Sequence, residues 1–393
     1  MDNFIYSIPT RAYFGRGQVA NLGSAVREFG GSKVLLAYGG GSIKRNGILD
    51  EVLAEFDKEG IAHVELSGIK PNPRIESVEE GISLYRQHGC DFILAVGGGS
   101  TLDAAKAIAA GVSYSGPVLD LLTGVAAINS PAPLGTILTM AGTGSEMDAG
   151  GVITAGEDNK KLVIMHPELN PRFSILDPAY TFTVPALHSM AGCADILCHL
   201  MEQYFTPESG ADVQDRMNEG LMKVVLEHGP RILANPEDYD ARANIMWASS
   251  MALSGFQLLL GKPGFKFPIH YLGHELSSLY DMTHGVTLAL LTPAWMRHTV
   301  EANPDALAVF ARFARNVFDV KQKDERAAFE AGIDALIQYY RTIGMPVSLE
   351  AAGVEEERLE YLAEKATENG ELGILSSIGK AQALAIYQTA YRQ

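Results

Sequence analysis

The chain has 393 residues, 47% hydrophobic and 20% charged, and a formal net charge of −16. That length exceeds one ordinary core and predicts two domains. The acidic balance argues against nucleic acid or an acidic membrane as partner, while leaving an anionic small molecule open to a local site. Cys90, Cys193 and Cys198 give no disulfide framework, and no apolar stretch reaches bilayer length. The opening MDNFIYSIPTRAYFG lacks the basic flank and apolar block of a secretory signal, so the expectation is a cytoplasmic protein.

In chain order, KVLLAY (33–38) reads as a buried strand running into Gly39, Gly40, Gly41 and Ser42. NGILDEVLAEFDKEG then sets Ile48, Val52, Leu53 and Phe56 on one helical stripe. HVELSG follows as a strand, and RIESVEEGISLYRQHG aligns Ile75, Val78, Ile82 and Tyr85 on one face. FILAVGGGS (92–100) repeats the strand-then-glycine device, and PLGTILTM and FSILDP complete the strands. This alternation of periods two and 3.6 predicts a parallel sheet covered by helices. From about Val184 strand signals stop, and helical patterns occupy 186–206, 210–228, 241–260, 269–280, 286–300, 305–318, 325–342 and 376–391. The change falls at DPAYTFTVP, giving expected domains over 1–184 and 185–393.

In VGGGSTLDAAKAIAAG a strand feeds a glycine turn and a helix. Ser100 is the expected cap, with Asp103 three residues on as in a capping box. The bare N–H groups of the first turn and the helix dipole make an anion site, although the spacing is not G-x-G-x-x-G. A tight strand–helix turn without a ligand reads the same residues equally well. TILTMAGTGSEMDAGGVIT ends another strand in Gly142, Thr143, Gly144 and Ser145. Two glycine turns at carboxyl ends of strands in one sheet face the crevice where open α/β sheets bind nucleotides.

The helical half carries the sharper signal. In AGCADILCHLMEQYF, Asp195 and His199 are four apart and share a helix face. With Glu202 and Gln203 they form a polar stripe on an otherwise apolar helix, costly to bury unless something charged faces it. IHYLGHELSSLYDMTHG places His270 and His274 four apart, with His284 just before Gly285. Any one histidine alone is better read as a satisfied buried residue. Two such pairs plus a His-Gly point instead to a carboxylate and up to three imidazoles converging on one divalent cation, of the Fe(II) or Zn(II) kind. The pattern is not H-E-x-x-H, since His274-Glu275 is followed by Ser278 and Leu279. Cys193 and Cys198 are expected to point away as packing residues.

Together these segments resemble the iron-containing, or group III, alcohol dehydrogenases. The resemblance rests on GGGSTLDAAK (97–106), GTGSE (142–146), the Lys161-to-Pro171 spacing before LDP, Asp195-x-x-x-His199, His270-x-x-x-His274 and His284-Gly285. YGGGSIKRNG, MEQYF, GHELSSLYDMTHG and RANIMWASS look most like the NADPH-using butanol dehydrogenase and aldehyde reductase branch. The resemblance implies a Rossmann-like α/β dinucleotide-binding domain followed by an all-helical metal domain, the dehydroquinate synthase-like architecture. It implies Asp195, His199, His270 and His284 as ligands of Fe2+ or Zn2+, with Asp195 and His284 thereby catalytic. His274 would be a catalytic non-ligand near the nicotinamide and a proton relay.

On the cofactor side it implies Gly98, Gly99 and Ser100 at the pyrophosphate with Asp103 beside them, Thr139, Thr143 and Ser145 on the nicotinamide side, and Lys161 at a ribose. NAD-preferring relatives typically carry aspartate where this chain has Gly39. Gly39, Gly40, Gly41 and Ser42, with Lys44 and Arg45 close by, therefore read as a nest for the 2′-phosphate of NADP(H). The implied activity is reversible reduction of a short or medium-chain aldehyde to a primary alcohol by a homodimer. A polyol dehydrogenase or dehydroquinate synthase-like enzyme on the same fold, or a non-catalytic metal and nucleotide binder, are the alternatives. One stretch departs from the branch: FKFPIH stands before the third ligand, where an acidic-Trp pair is usual.

Overall fold

The structure is a computed structural model describing residues 1–156, 159–264 and 266–393. It divides into two compact units: Ser7–Val184 with Ser249–Gly255, and Met1–Tyr6 with Pro185–Ala248 and Phe256–Gln393.

Strands of the first are β1 (Arg11–Phe14), β2 (Lys33–Tyr38), β3 (Ala62–Leu66), β4 (Phe92–Gly97), β5 (Leu134–Leu138), β6 (Gly150–Ala155), β7 (Lys160–Met165) and β8 (Phe173–Leu176). Six form a sheet in the order β1-β8-β5-β4-β2-β3, every pairing parallel, and β6 pairs antiparallel with β7. The central strands β4, β5 and β8 are buried throughout, which is why they read as unbroken apolar runs rather than alternating ones. Helices α1 (Leu22–Glu28), α2 (Ser42–Arg45), α3 (Ile48–Glu59), α4 (Ile75–His88), α5 (Gly99–Gly111) and α6 (Val118–Leu122) separate them. The predicted stripes face inward through Ile48, Val52 and Phe56 of α3 and Val78 and Ile82 of α4.

Three strands carried no readable pattern. β1 is four residues long, too short to show a period, and the β6–β7 hairpin opens on two glycines and starts its return on two lysines. Register decides where the glycine runs lie. Tyr38 pairs with Val96 and Gly97 with Leu138, so residues 39–42, 98–100 and 139–145 leave three adjacent strands at the same edge of the sheet.

The second unit is helical: α7 (Ala186–Tyr204), α8 (Asp212–Ala234), α9 (Tyr239–Leu253), α10 (Pro268–Tyr280), α11 (His284–Ala302), α12 (Leu307–Val317), α13 (Glu325–Thr342), α14 (Leu359–Ala366) and α15 (Lys380–Tyr391). The last residues of α9, from Ser249, belong to the first unit. Every residue of α7 from Ser189 to Tyr204 is buried, as expected of a helix packed on all sides. α11 starts against it at Gly285, where an added Cβ would lie 1.9 Å from the carbonyl oxygen of Ala191. Only glycine permits that crossing. Helix ends moved where 3₁₀ segments intervene: Pro304–Ala306 precedes α12, and α9 gives way to Ser254–Leu259. No helix among the described residues is long and apolar enough to cross a membrane.

Candidate metal centre and nucleotide turns

Helix α7 supplies Asp195 and His199, α10 supplies His270 and His274, and His284 opens α11. Asp195 Oδ1 lies 3.4 Å from His199 Nδ1 and 3.6 Å from His270 Nε2. The His199 and His270 rings stack with centroids 4.4 Å apart, and the His284 ring lies 5.1 Å from that of His270. Asp195 Oδ1, His199 Nδ1 and His270 Nε2 are each buried without a hydrogen-bond partner. Leaving one such atom unmet costs about 1–3 kcal/mol, so three aimed at one point ask for a common partner.

The spacing fits a cation. With metal–ligand bonds of about 2.0–2.2 Å, a tetrahedral site has ligand–ligand edges of about 3.3–3.6 Å, and one carboxylate with imidazole nitrogens is a set suited to Fe(II) or Zn(II). Protonation agrees at two of the three groups. Burial pushes the His199 imidazole down to about 3. Burial works against ionisation of Asp195, but the attraction of His199, His270 and His284 outweighs it and holds the carboxyl below its usual range.

His270 differs because its other ring nitrogen is taken. Burial would lower it, yet the Glu202 carboxylate beside Nδ1 outweighs burial and raises it well above the ordinary imidazole range. Cys198 does not behave as a mere packing residue: its Sγ is 3.7 Å from Glu202 Oε2 and 3.8 Å from His270 Nδ1, on the ring edge away from Asp195. Four residues before Glu202 on α7, it shares that residue's helix face, and so meets polar partners rather than packing alone. Burial pushes the Cys193 and Cys198 thiols up to about 12, so neither is a thiolate at neutral pH.

His274 stands outside the orphaned set, its ring 5.3 Å from that of His284 and 6.0 Å from that of Tyr271. In the unusual FKFPIH stretch, Phe265 lies outside the described residues. Lys266 Nζ donates to the Glu371 carbonyl at 3.1 Å, and Phe267 stands edge-on to the rings of His199 and His270. Pro268 begins α10, a position where its missing N–H is harmless.

In the first unit the expected capping box does not form. Gly98 is the N-cap of α5 without a side-chain cap, and Ser100 is inside the helix. The carboxylate of Asp103 instead accepts Ser145 Oγ at 2.7 Å and the Val152 N–H at 3.0 Å, and burial pushes it up to about 6. Ser145 also accepts from the fully buried Lys106 at 2.9 Å, which donates to Asp148 and the Gly150 carbonyl too. This network, absent from the sequence reading, braces the 142–145 turn against α5. The turns touch directly, since a Cβ on Gly99 would lie 2.4 Å from Thr143 Oγ1. Thr139 N–H donates to the Gly97 carbonyl at 2.9 Å. Ser249 Oγ accepts the Gly142 N–H at 2.9 Å, and Ser250 Oγ donates to Glu146 Oε1 at 2.6 Å. Lys161 Nζ donates to Asn72 Oδ1 at 2.6 Å and Thr154 Oγ1 at 3.1 Å. Beside the first glycine run, Lys44 Nζ lies 3.6 Å from Glu65, whose carboxylate also accepts Tyr38 OH.

The family model described as "Iron-containing alcohol dehydrogenase" matches residues 9–178, and that described as "Fe-containing alcohol dehydrogenase family, C-terminal" matches 189–391. The chain belongs to the iron-containing alcohol dehydrogenases. Membership makes it an oxidoreductase of alcohols and aldehydes, with a nicotinamide cofactor and a divalent metal. It is 43% identical to NADH-dependent butanol dehydrogenase A of Clostridium acetobutylicum, over all of both chains. It is 36% identical to the NADPH-dependent aldehyde reductase YqhD of Escherichia coli, covering 99% of this chain and 100% of the relative. The crystal structure of NADH-dependent butanol dehydrogenase A from Thermotoga maritima superposes with a TM-score of 0.94 at 35% identity, covering 100% of this chain and 99% of the other.

Proposed function

We propose that this family member is an NADP(H)-dependent aldehyde reductase of the butanol dehydrogenase type, acting on short or medium-chain aldehydes and primary alcohols. Asp195, His199, His270 and His284 hold one Fe2+ or Zn2+. The carrying observation is the set of three buried, unpartnered ligand atoms spaced 3.4–3.6 Å about Asp195 Oδ1. The unit holding Pro185–Ala248 and Phe256–Gln393 is then the metal domain, and the unit holding Ser7–Val184 with Ser249–Gly255 the nucleotide domain.

When bound, the cation supplies Lewis acidity toward a carbonyl oxygen and the nicotinamide supplies the hydride. The chain's own tasks follow from its residues. Asp195 contributes the anionic charge, and the imidazoles contribute neutral donors whose rings are fixed by mutual stacking. Phe267 excludes water from the His199–His270 side. The ring of His274, one neighbour out, delivers the proton that the product oxygen needs. Gly98, Gly99 and Ser100 offer the N–H groups of the first turn of α5 to a pyrophosphate, where a Cβ would obstruct the approach. Thr139, Thr143 and Ser145 face the nicotinamide and Lys161 a ribose.

The preference for NADP(H) rests on the missing carboxylate at Gly39 and on Lys44 and Arg45 close by. Glu65 draws on Lys44 and tempers that preference. Relatives named above are divided between the two cofactors. Metal analysis of purified protein and kcat/KM for butanal with each cofactor test the proposal. NADPH is expected to be favoured, and Gly39→Asp to shift preference toward NADH; equal kcat/KM values overturn the assignment. The same reading makes the protein cytoplasmic and a homodimer, the latter checked by light scattering.

A further inference from the structure

Glu202 is a buried carboxyl inside α7 that takes no part in the reaction proposed above. Its two oxygens meet different groups of the same helix, α10. Oε1 accepts the backbone N–H of Ile269 at 2.6 Å. That N–H lies in the first turn of α10, which has no acceptor within its own helix and receives no side-chain cap from Phe267. Oε2 faces His270 Nδ1 within hydrogen-bond distance, with the Cys198 thiol 3.7 Å away as a further donor. The opposite ring nitrogen of His270, Nε2, is the unpartnered one turned toward Asp195.

We propose that Glu202 is a positioning residue: by holding the proton on Nδ1 of His270 and capping the helix that carries it, Glu202 leaves the Nε2 lone pair free and aimed at the cation. The inference rests on the metal reading above. An imidazole placed between carboxylate and metal is fixed in tautomer and orientation by the carboxylate, and its basicity rises. Here the same carboxylate also satisfies the start of α10, so ring position and ring tautomer are set together. Helix dipole and carboxylate charge reinforce one another at that terminus.

Glu202→Gln separates the two roles, because an amide has a single oxygen. The Ile269 N–H is a fixed donor and claims it, which turns the amide NH2 toward His270. The ring must then accept at Nδ1 and carry its proton on Nε2, the atom the cation needs. Zinc affinity of the metal-stripped protein, measured with Zn2+ alone against a chromophoric chelator, is expected to fall by about 10–100-fold. Proton–nitrogen correlation on histidine-labelled, zinc-loaded wild type is expected to show His270 protonated at Nδ1 and zinc-bound at Nε2. A variant that binds zinc as tightly as wild type overturns the inference, whatever its thermal midpoint does, since a purely structural Glu202 would lower the midpoint alone. Zinc on Nδ1 in the wild type overturns it too, and decides the matter if the variant does not fold. Wild type that takes up no zinc overturns the metal reading along with it; tight zinc in both proteins leaves that reading standing and removes only the role of Glu202.

Discussion

Among single residues, the histidines differ in what they are asked to do, and substitutions should separate them. His284→Ala is expected to release the metal and lower kcat/KM by about a thousandfold, since Lewis-acid assistance is worth several kcal/mol and each 1.36 kcal/mol is tenfold. His274→Ala should keep the metal while losing turnover; atomic absorption beside a rate assay distinguishes the two. A second prediction concerns Glu146, whose Oε2 is buried without a partner and which burial pushes up to about 7. Below about 4.5 this carboxyl is protonated in folded and unfolded chains alike, and its stabilising contribution is fully present. Between about 4.5 and about 7 the unfolded chain releases the proton and the folded chain keeps it, so stability drains away as pH rises. Glu146→Gln keeps an acceptor for Ser250 and does not titrate. Relative to wild type it should gain about 3 kcal/mol between pH 4.5 and pH 8, read from urea unfolding at both ends. The Asp195–His199 pair was legible because four-residue spacing on an apolar helix leaves few bland explanations. The partnership of Glu202 was not, because Ile269 and His270 are 67 and 68 residues away from it.

At the scale of elements, the proposed metal centre depends on how closely α11 approaches α7. Gly285 sits at that crossing, one residue after His284, and an added methyl would collide with the Ala191 carbonyl. Gly285→Ala is therefore expected to destabilise by about 3 kcal/mol and to weaken zinc binding, because the helix must retreat and take His284 with it. Guanidinium unfolding and chelator competition measure the two effects. Unchanged zinc affinity in a folded variant would show that His284 reaches its place independently of the crossing. The alternation of strands and helices was readable because buried central strands and amphipathic helices have different periods. Caps were less so. Ser100 had the right chemistry for a cap, but the helix starts two residues earlier than such a cap requires, at Gly99 packed against Thr143, and Asp103 is claimed by Ser145 and Val152.

For the molecule as a whole, the residue list of each unit is discontinuous. Ser249–Gly255 groups with the sheet and its glycine turns although the chain around it is helical and groups elsewhere. Composition gives no hint of such an exchange, since RANIMWASS is an ordinary helical pattern until Ser249 and Ser250 find Gly142 and Glu146. An N-terminal fragment ending at Val184 would lack both serines, leaving the Gly142 amide bare and the Glu146 carboxyl without its Ser250 donor. We expect that fragment to show no cooperative thermal transition by circular dichroism. The two halves of this polypeptide are therefore not interchangeable cassettes: grafting either onto an unrelated partner would have to carry the seven-residue loan along, and natural recombination at the obvious seam would meet the same obstacle.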